Sequence, residues 1–153
     1  MPVIHYVTKN YSPLSDIMTS SGPPKTTMYV GTKTVGTETL AGKMSNGIFF
    51  YVYNGKSMRT TDNFKLLKKP TGNQHFEWQQ GQQPFNLNVP PNAISVGVNN
   101  AGKKMYIIKV VIDANEDPVS YYVEGDNYAS YAFYGVKKTA NFYWCIVVYD
   151  RYP

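Results

Sequence analysis

Few residues of this chain combine the types and the spacing that catalysis requires. The stretch Gly97–Lys103 fits the first seven positions of a phosphate-binding P-loop, but Lys104 stands where a Ser or Thr should bind the magnesium ion. A P-loop also opens a helix, whereas the β-rich run MYIIKVVI follows here. We therefore predict a hairpin turn through Asn100-Ala101-Gly102, because Asn and Gly accept positive φ angles.

Residues for nucleophilic chemistry are also sparse. The chain has two histidines, His5 and His75, and lacks a Gly-x-Ser-x-Gly elbow. Its single cysteine, Cys145, lies inside the apolar run FYWCIVVY, which predicts an inert core thiol. So few acid and base candidates argue against an enzyme.

No set of residues has the pattern of a metal site. His75 and Glu77 share one strand face, but two ligands do not make a metal site. The acidic residues Asp113, Glu116 and Asp117 lack the spacing of a calcium loop and precede a proline, which predicts an ordinary turn. We expect neither a metal nor a cofactor.

The composition instead favours a binding surface. The chain has 153 residues, is 42% apolar and 16% charged, and includes 14 tyrosines. Amide and charged side chains can bond to pairs of sugar hydroxyls while aromatic rings cover the apolar face of a sugar. Carbohydrate recognition would use such groups, although asparagines in turns and tyrosines in a packed sheet would explain most of them.

The charge is unevenly distributed along the chain. The formal net charge is +5, and residues 1–77 contain nine Lys or Arg against four Asp or Glu. An acidic partner such as nucleic acid or anionic lipid would suit this surplus. A surplus of this size over 77 residues is more typical of a solvated surface than of a nucleic-acid footprint, so we do not expect nucleic acid as the partner.

Cysteine usage and the N-terminal residues bear on location. The lone Cys145 excludes an intrachain disulfide framework and suits a reducing compartment. The first residues, MPVIHYVTKNYSP, contain neither a signal peptide nor a long apolar run. We expect a cytoplasmic protein, or one exported without a recognisable signal peptide, and no membrane span.

Three sequence motifs recur in the same order in the two halves of the chain. Met28-Tyr29-Val30 resembles Met105-Tyr106-Ile107, an aromatic strand with its glycine recurs near residues 48–55 and 131–135, and residues 63–67 resemble residues 141–145. The offsets are 77, 80 and 78 residues. This pattern indicates a diverged duplication within a single domain of residues 1–153, with one repeat at about 1–70 and the other at about 76–150.

Apolar and β-branched runs predict an all-β fold of antiparallel strands. We place the strands near 3–8, 27–35, 47–53, 63–68, 93–98, 104–112, 119–124, 129–134 and 141–149. The polar, Gln-rich segment 71–91 is expected to join the two halves and to begin the second repeat. One short helix is expected at residues 12–18, with Ser12 as its cap and Pro13 at its first position.

The second half resembles the DM-nine repeat family. The matching residues are Trp78, Gly81, the stretch Val89–Gly97 and the stretch Gly102–Ile107. The first half is similar to the same repeat at four stretches, namely Met28–Lys33, Leu40–Met44, Tyr51–Lys56 and Phe64–Leu67. The resemblance covers most of residues 25–149 as two tandem copies.

This resemblance implies a function and a site. Family members include mannose-binding invertebrate lectins of two repeats, and the repeat also occurs attached to the pore module of natterin toxins. A compact pseudo-symmetric domain that binds mannose-type sugars is therefore implied, often as a dimer. Lys43 matches the family's Gly-Lys position and would donate to hydroxyls, and Glu38 or Asp16 would accept from them. In the second copy the acidic position falls near Asn99 and Asn100, and Asp117-Pro118-Val119 replaces the Gly-Lys.

Two other functions remain open from the sequence. The chain could be a protein-interaction or effector module that keeps the fold and has lost sugar binding, or a basic aromatic nucleic-acid binder. The apolar strand runs in both halves also predict a homodimer, because exposed sheet edges must be covered.

Overall fold

The computed structural model describes residues 4–20, 27–72, 75–81, 89–110, 118–133, 136–140 and 144–149. These residues form thirteen strands and one turn of 3-10 helix, Leu14–Asp16. The strands are β1 Tyr6–Thr8, β2 Tyr29–Val35, β3 Glu38–Ser45, β4 Ile48–Tyr53, β5 Lys56–Thr60, β6 Lys65–Leu67, β7 Phe76–Gln80, β8 Ser95–Val98, β9 Lys104–Val110, β10 Val119–Val123, β11 Ala129–Phe133, β12 Val136–Ala140 and β13 Trp144–Tyr149.

The first half of the chain forms a six-stranded antiparallel sheet in the order β1-β6-β2-β3-β4-β5. Two Asn-Gly pairs turn the chain between β3 and β4 and between β4 and β5. Asn46 and Gly47 have φ angles of 52° and 78°, and Asn54 and Gly55 have 51° and 73°. Positive φ at both central residues matches the twist of the flanking strands, so these dipeptides set the register of the hairpins.

The second half repeats this order. Its main sheet has the order β7-β13-β9-β10, and β11 pairs with β12 as a separate two-stranded sheet. Ser120 of β10 donates a hydrogen bond of 2.5 Å to the Ser130 carbonyl of β11 and so links the two sheets. The strand order is the same in both halves when β1 is matched with β7, β6 with β13, and β2–β5 with β9–β12. The predicted all-β fold of two pseudo-symmetric repeats is confirmed.

Four strands were missed by the sequence prediction. β3 contains Gly42 and Lys43, which are both poor signals for a buried strand, yet both are buried because β3 lies between β2 and β4. β5 and β12 are short and polar, as expected for strands with one open side. β7 lies within segment 71–91, where no strand was predicted, and it pairs with β13.

The predicted helix at residues 12–18 is wrong in extent. Only Leu14–Asp16 form a 3-10 turn, and no side chain caps its start. Ile17 is already extended, with φ −99° and ψ 137°, because it bridges Lys68, and Thr19 bridges Tyr29. Pairing with the sheet therefore overrides the local helix signal.

The two repeats share a hydrophobic core. Val30 and Ala41 of the first sheet pack in one cluster with Ile107, Val119 and Val147 of the second, and all five are at most 2% exposed. Two further clusters lie mainly in one repeat each, although Met105 of the second repeat belongs to the cluster of the first. In the first, Phe49 stacks on Phe64 with ring centroids 5.0 Å apart, and in the second Tyr122 is fully buried. The apolar strand runs are thus covered within one chain, and the homodimer stays a prediction.

Candidate functional site

A cavity of about 730 Å³ opens at one end of the shared core. Twelve of its lining residues come from the first repeat, and Val96 of β8 comes from the second. The lining residues are Tyr6, Thr8, Lys9, Asn10, Thr32, Thr34, Thr39, Thr61, Asp62, Asn63, Phe64, Lys65 and Val96. Five threonines therefore surround one space.

Strand pairing gathers these threonines. Thr32 and Thr34 alternate along β2 on the face that also presents Val30 to the shared core. Thr34 pairs with Thr39 of β3, and their hydroxyl oxygens are 3.4 Å apart. Thr32 pairs with Lys65 of β6, which in turn pairs with Thr8 of β1. Hydroxyls of β1, β2 and β3 thus lie on one face of four adjacent strands, with Lys65 of β6 between them.

The loop after β5 forms one wall of the cavity. The Lys9 ammonium donates to the Thr61 carbonyl at 2.6 Å, and the Lys33 ammonium donates to the Asn63 carbonyl at 3.2 Å. The Asp62 backbone N–H donates to the Thr60 hydroxyl at 3.2 Å. Among the described residues, no hydrogen-bond or ion-pair partner engages the exposed carboxylate of Asp62, which is therefore available to a ligand.

Two aromatic rings complete the lining. Phe64 is 6% exposed, and its ring is held by the stack on Phe49. Burial, followed by the nearby Tyr149, raises the pKa of the Tyr6 hydroxyl to about 12, so this group is neutral at physiological pH and can both donate and accept. Hydroxyls, amides, two lysines, one carboxylate and two rings suit a ligand that is rich in hydroxyl groups.

Three of the predicted site residues meet beside this cavity. The Asn100 N–H donates to a Glu38 carboxylate oxygen at 3.4 Å, and the Thr37 hydroxyl donates to the Asn100 side-chain oxygen. The Asn99 side-chain oxygen accepts from the N–H groups of Ala101 and Lys103, each at 3.0 Å. The tips of the β2–β3 and β8–β9 hairpins thus touch at the rim, where Thr39, the neighbour of Glu38, lines the cavity.

Lys43, the sugar donor that the family resemblance implies, is buried inside the sheet. It lies in the middle of β3, is 3% exposed, and its ammonium donates to the Ala132 carbonyl of β11 at 3.2 Å. It also lies 5.8 Å from the centre of the Phe50 ring. Along its face of β3, Ala41 of the shared core separates Lys43 from Thr39 of the cavity. Glu38 is an odd number of residues away from Lys43, so its side chain projects from the face of β3 opposite to that of Lys43.

Asp16 lies apart from the other predicted site residues. One of its carboxylate oxygens accepts a hydrogen bond of 3.1 Å from the Tyr11 hydroxyl, at the 3-10 turn. The backbone carbonyl of Asp16 accepts from the Lys69 N–H at 2.7 Å. These contacts indicate that Asp16 anchors the turn to the end of β6.

The strand register identifies a different counterpart of Lys43 in the second repeat. Val30 pairs with Lys43 and Ile107 pairs with Tyr121, at equivalent positions of β2–β3 and β9–β10. Tyr121, rather than Pro118 or Val119, therefore occupies the position in the second repeat that corresponds to Lys43 in the first. Its hydroxyl donates to the Val52 carbonyl of β4 at 2.8 Å. At these equivalent positions, each repeat thus sends a long side chain to a backbone carbonyl of the other repeat.

Other chemical candidates have structural positions. The predicted hairpin at Asn100-Ala101-Gly102 is confirmed, since Gly102 N–H donates to the Asn99 carbonyl and β8 pairs with β9. Cys145 is half-buried on β13, so the prediction of a core thiol is wrong. Asp113, Glu116 and Asp117 lie outside the described residues. In the part of the chain that is described, no cluster of three His, Cys, Asp or Glu side chains could hold a metal.

Sequence reasoning missed the threonines. The alternation of Thr32 and Thr34 was visible as a strand signal, but nothing in the sequence joined it to Thr8 or to Asp62.

Among the described residues, no helix has the length and apolar character needed to cross a bilayer.

Comparison with known proteins places the chain in a family. The DM9 repeat matches residues 23–118, which is more than half of the chain. No curated protein sequence matches the chain. The fold is similar to the crystal structure of the nematode sperm cell motility protein MFP2B, with a TM-score of 0.63 and 13% sequence identity. This similarity covers 90% of the chain but 40% of MFP2B, so the chain spans less than half of that protein. The chain belongs to the DM9 repeat family.

Proposed function

We propose that this protein recognises carbohydrate without catalysing a reaction, and that it binds mannose-type sugars in the threonine-lined cavity. The chain matches the DM9 repeat over residues 23–118, and the resemblance to the mannose-binding lectins of that family supports the proposal. The observation that supports the proposal most directly is that five threonines and Asp62 line one space of about 730 Å³. A volume of this size falls in the range of small-molecule sites.

The lining suits a neutral, hydroxyl-rich ligand for a physical reason. A pair of adjacent sugar hydroxyls can donate to one carboxylate, and hydrogen bonds to a charged group contribute about 1.5–3 kcal/mol each. Threonine hydroxyls then act as donor or acceptor as each sugar hydroxyl requires. Glu38, Asn99 and Asn100, where the tips of the β2–β3 and β8–β9 hairpins touch, would contact a second sugar residue of a longer chain. Lys43 and Tyr121 would support the site by holding the repeats together.

The experiment is titration calorimetry with methyl α-mannoside and with a mannose oligosaccharide. We expect Asp62→Asn to weaken binding by about tenfold or more, because about 1.4 kcal/mol corresponds to one decade. The matched control is Asp126→Asn, which removes an exposed carboxylate from the turn after β10. Melting curves of both variants check the fold, since an exposed substitution should change stability by less than about 0.5 kcal/mol.

The outcomes separate the remaining functions. If Asp62→Asn and Asp126→Asn bind sugar equally well, the cavity is not the site. If the wild-type protein binds no glycan on an array, the protein-interaction module becomes the better description. Steep weakening with added salt would instead indicate a phosphate-containing ligand, because neutral sugars bind without releasing counterions.

A further inference from the structure

Four cations that do not line the cavity lie on the outer strands of the two equivalent hairpins. Lys56 and Arg59 belong to β5 and Lys137 and Lys138 to β12, and all four side chains are exposed. Neither hairpin, residues 48–60 or 129–140, contains an Asp or Glu. We call these four residues the cationic rim. Their number is close to the whole net charge of +5, so much of the basic surplus is concentrated here.

The two hairpins stack so that their outer strands share one side of the molecule. β11 lies against β4, and β12 lies against β5. β5 is the last strand of the six-stranded sheet, and β12 is the outer strand of its pair in the described residues. The Lys137 ammonium lies 4.0 Å from the point where a Cβ on Gly55 would be. The cationic rim is therefore one continuous surface built from both repeats.

The direction of the side chains favours a flat partner over a thin chain. Arg59 pairs with Phe50 and Lys56 with Tyr53, so these two cations project from opposite faces of β5. Lys137 and Lys138 are adjacent and also project from opposite faces of β12. Long, flexible side chains on both faces of a sheet edge can all reach a plane that meets the edge, whereas an extended polymer would follow one face.

The uncharged neighbours of these cations also favour a flat partner. Met58 lies between Lys56 and Arg59 and is 36% exposed. The other exposed residue in the described side chains of the two strands is Thr139, so no exposed aromatic ring is present there for stacking on a nucleic-acid base. An exposed apolar side chain among cations suits the boundary between lipid headgroups and acyl chains.

We propose that the cationic rim docks the protein on the surface of an anionic lipid membrane. Each Lys or Arg beside an anionic bilayer strengthens partitioning by about fivefold, and the effect is lost beyond a Debye length of about 10 Å. Four cations acting together would give reversible, salt-dependent attachment. This docking is independent of sugar binding, because the cavity is lined by other residues.

The test is cosedimentation of the full chain with vesicles of phosphatidylcholine, with and without phosphatidylserine. We expect binding to the anionic vesicles only. The double variant Lys137→Gln, Lys138→Gln should bind about 25-fold more weakly, since two cations are lost. The matched control is Lys103→Gln, Lys104→Gln, which removes an adjacent pair of exposed lysines from the β8–β9 hairpin. This control should bind less than about threefold more weakly than wild type, because its charges lie outside the cationic rim.

Three results would overturn the proposal. The first is equal weakening by the two double variants, which would show a dependence on net charge alone. The second is absence of binding to anionic vesicles when heparin or duplex DNA binds tightly. The third is tight vesicle binding that is unchanged in the Lys137→Gln, Lys138→Gln protein. Mannoside titration of the same variant should match wild type, so failure here is distinguishable from failure of the sugar site.

Discussion

At the residue scale, Lys43 makes a structural contact that the sequence did not predict. Its buried ammonium links β3 of one repeat to the Ala132 carbonyl of the other. We expect Lys43→Ala to lower the free energy of unfolding by about 3 kcal/mol, through a cavity and an unpaired buried carbonyl. Lys43→Met keeps most of the aliphatic stem and should cost about 1 kcal/mol. Urea denaturation measures both, and a Lys43→Ala protein as stable as the exposed control Lys103→Ala would contradict this role.

The buried tyrosines predict a loss of stability at alkaline pH. Burial, then Glu38 and Tyr53, raises the pKa of Tyr121 from 10.0 to about 12, and the pKa values of Tyr6 and Tyr122 are also raised to about 12. A raised pKa means that the unfolded chain ionises first. The stabilisation is therefore complete below pH 10 and is lost as the pH rises through 12.

Tyr121→Phe isolates one of these groups. At pH 7 the variant should be less stable by about 1 kcal/mol, because the hydrogen bond to the Val52 carbonyl is lost. Between pH 10 and 12 the difference from wild type should shrink, since phenylalanine has no proton to lose. Urea denaturation across this pH range checks it. A difference that stays constant with pH would show that the Tyr121 hydroxyl titrates normally.

At the element scale, β3 and β4 approach so closely that one position accepts only glycine. A Cβ on Gly42 would clash with the Phe50 carbonyl oxygen and lie 2.8 Å from Cζ of Phe49. We expect Gly42→Ala to destabilise the protein by about 3 kcal/mol, since neither the backbone nor the stacked ring can move away cheaply.

Gly36→Ala is the control for this element. Gly36 has a φ of 62° but no atom within 4 Å of its added Cβ, so this change costs backbone strain alone, about 1 kcal/mol. Thermal melting of both variants makes the comparison. Equal losses would mean that β3 can shift away from β4.

At the scale of the whole molecule, the shared core should make the two repeats unfold together. Val30 of the first repeat is fully buried against Ile107 and Val147 of the second. Val30→Ala should cost about 2 kcal/mol. Both tryptophans, Trp78 and Trp144, belong to the second half. Their fluorescence should nevertheless shift to a lower urea midpoint by the same amount as circular dichroism. Two separate transitions would show that each repeat folds alone.

The sequence by itself determined the fold class and the duplication. Recurring motifs such as Met28-Tyr29-Val30 and Met105-Tyr106-Ile107 fall on the equivalent strands β2 and β9, because hydrophobic pattern and turn residues act over a few neighbouring positions. The family also followed from the sequence. β3 was missed because its burial comes from strands on both sides, which no local pattern records.

Only the tertiary structure decided which side chains meet. Thr8, Thr32 and Thr34 line one cavity because β1, β6, β2 and β3 are neighbours in that order. Asp62 joins them because its loop leads into β6. Lys43 is buried, and Tyr121 is its counterpart, because the register of β3 and β10 directs both side chains at the opposite repeat. Strand order and register are set by contacts between distant residues, and a one-residue slip would send each of these side chains to the other face.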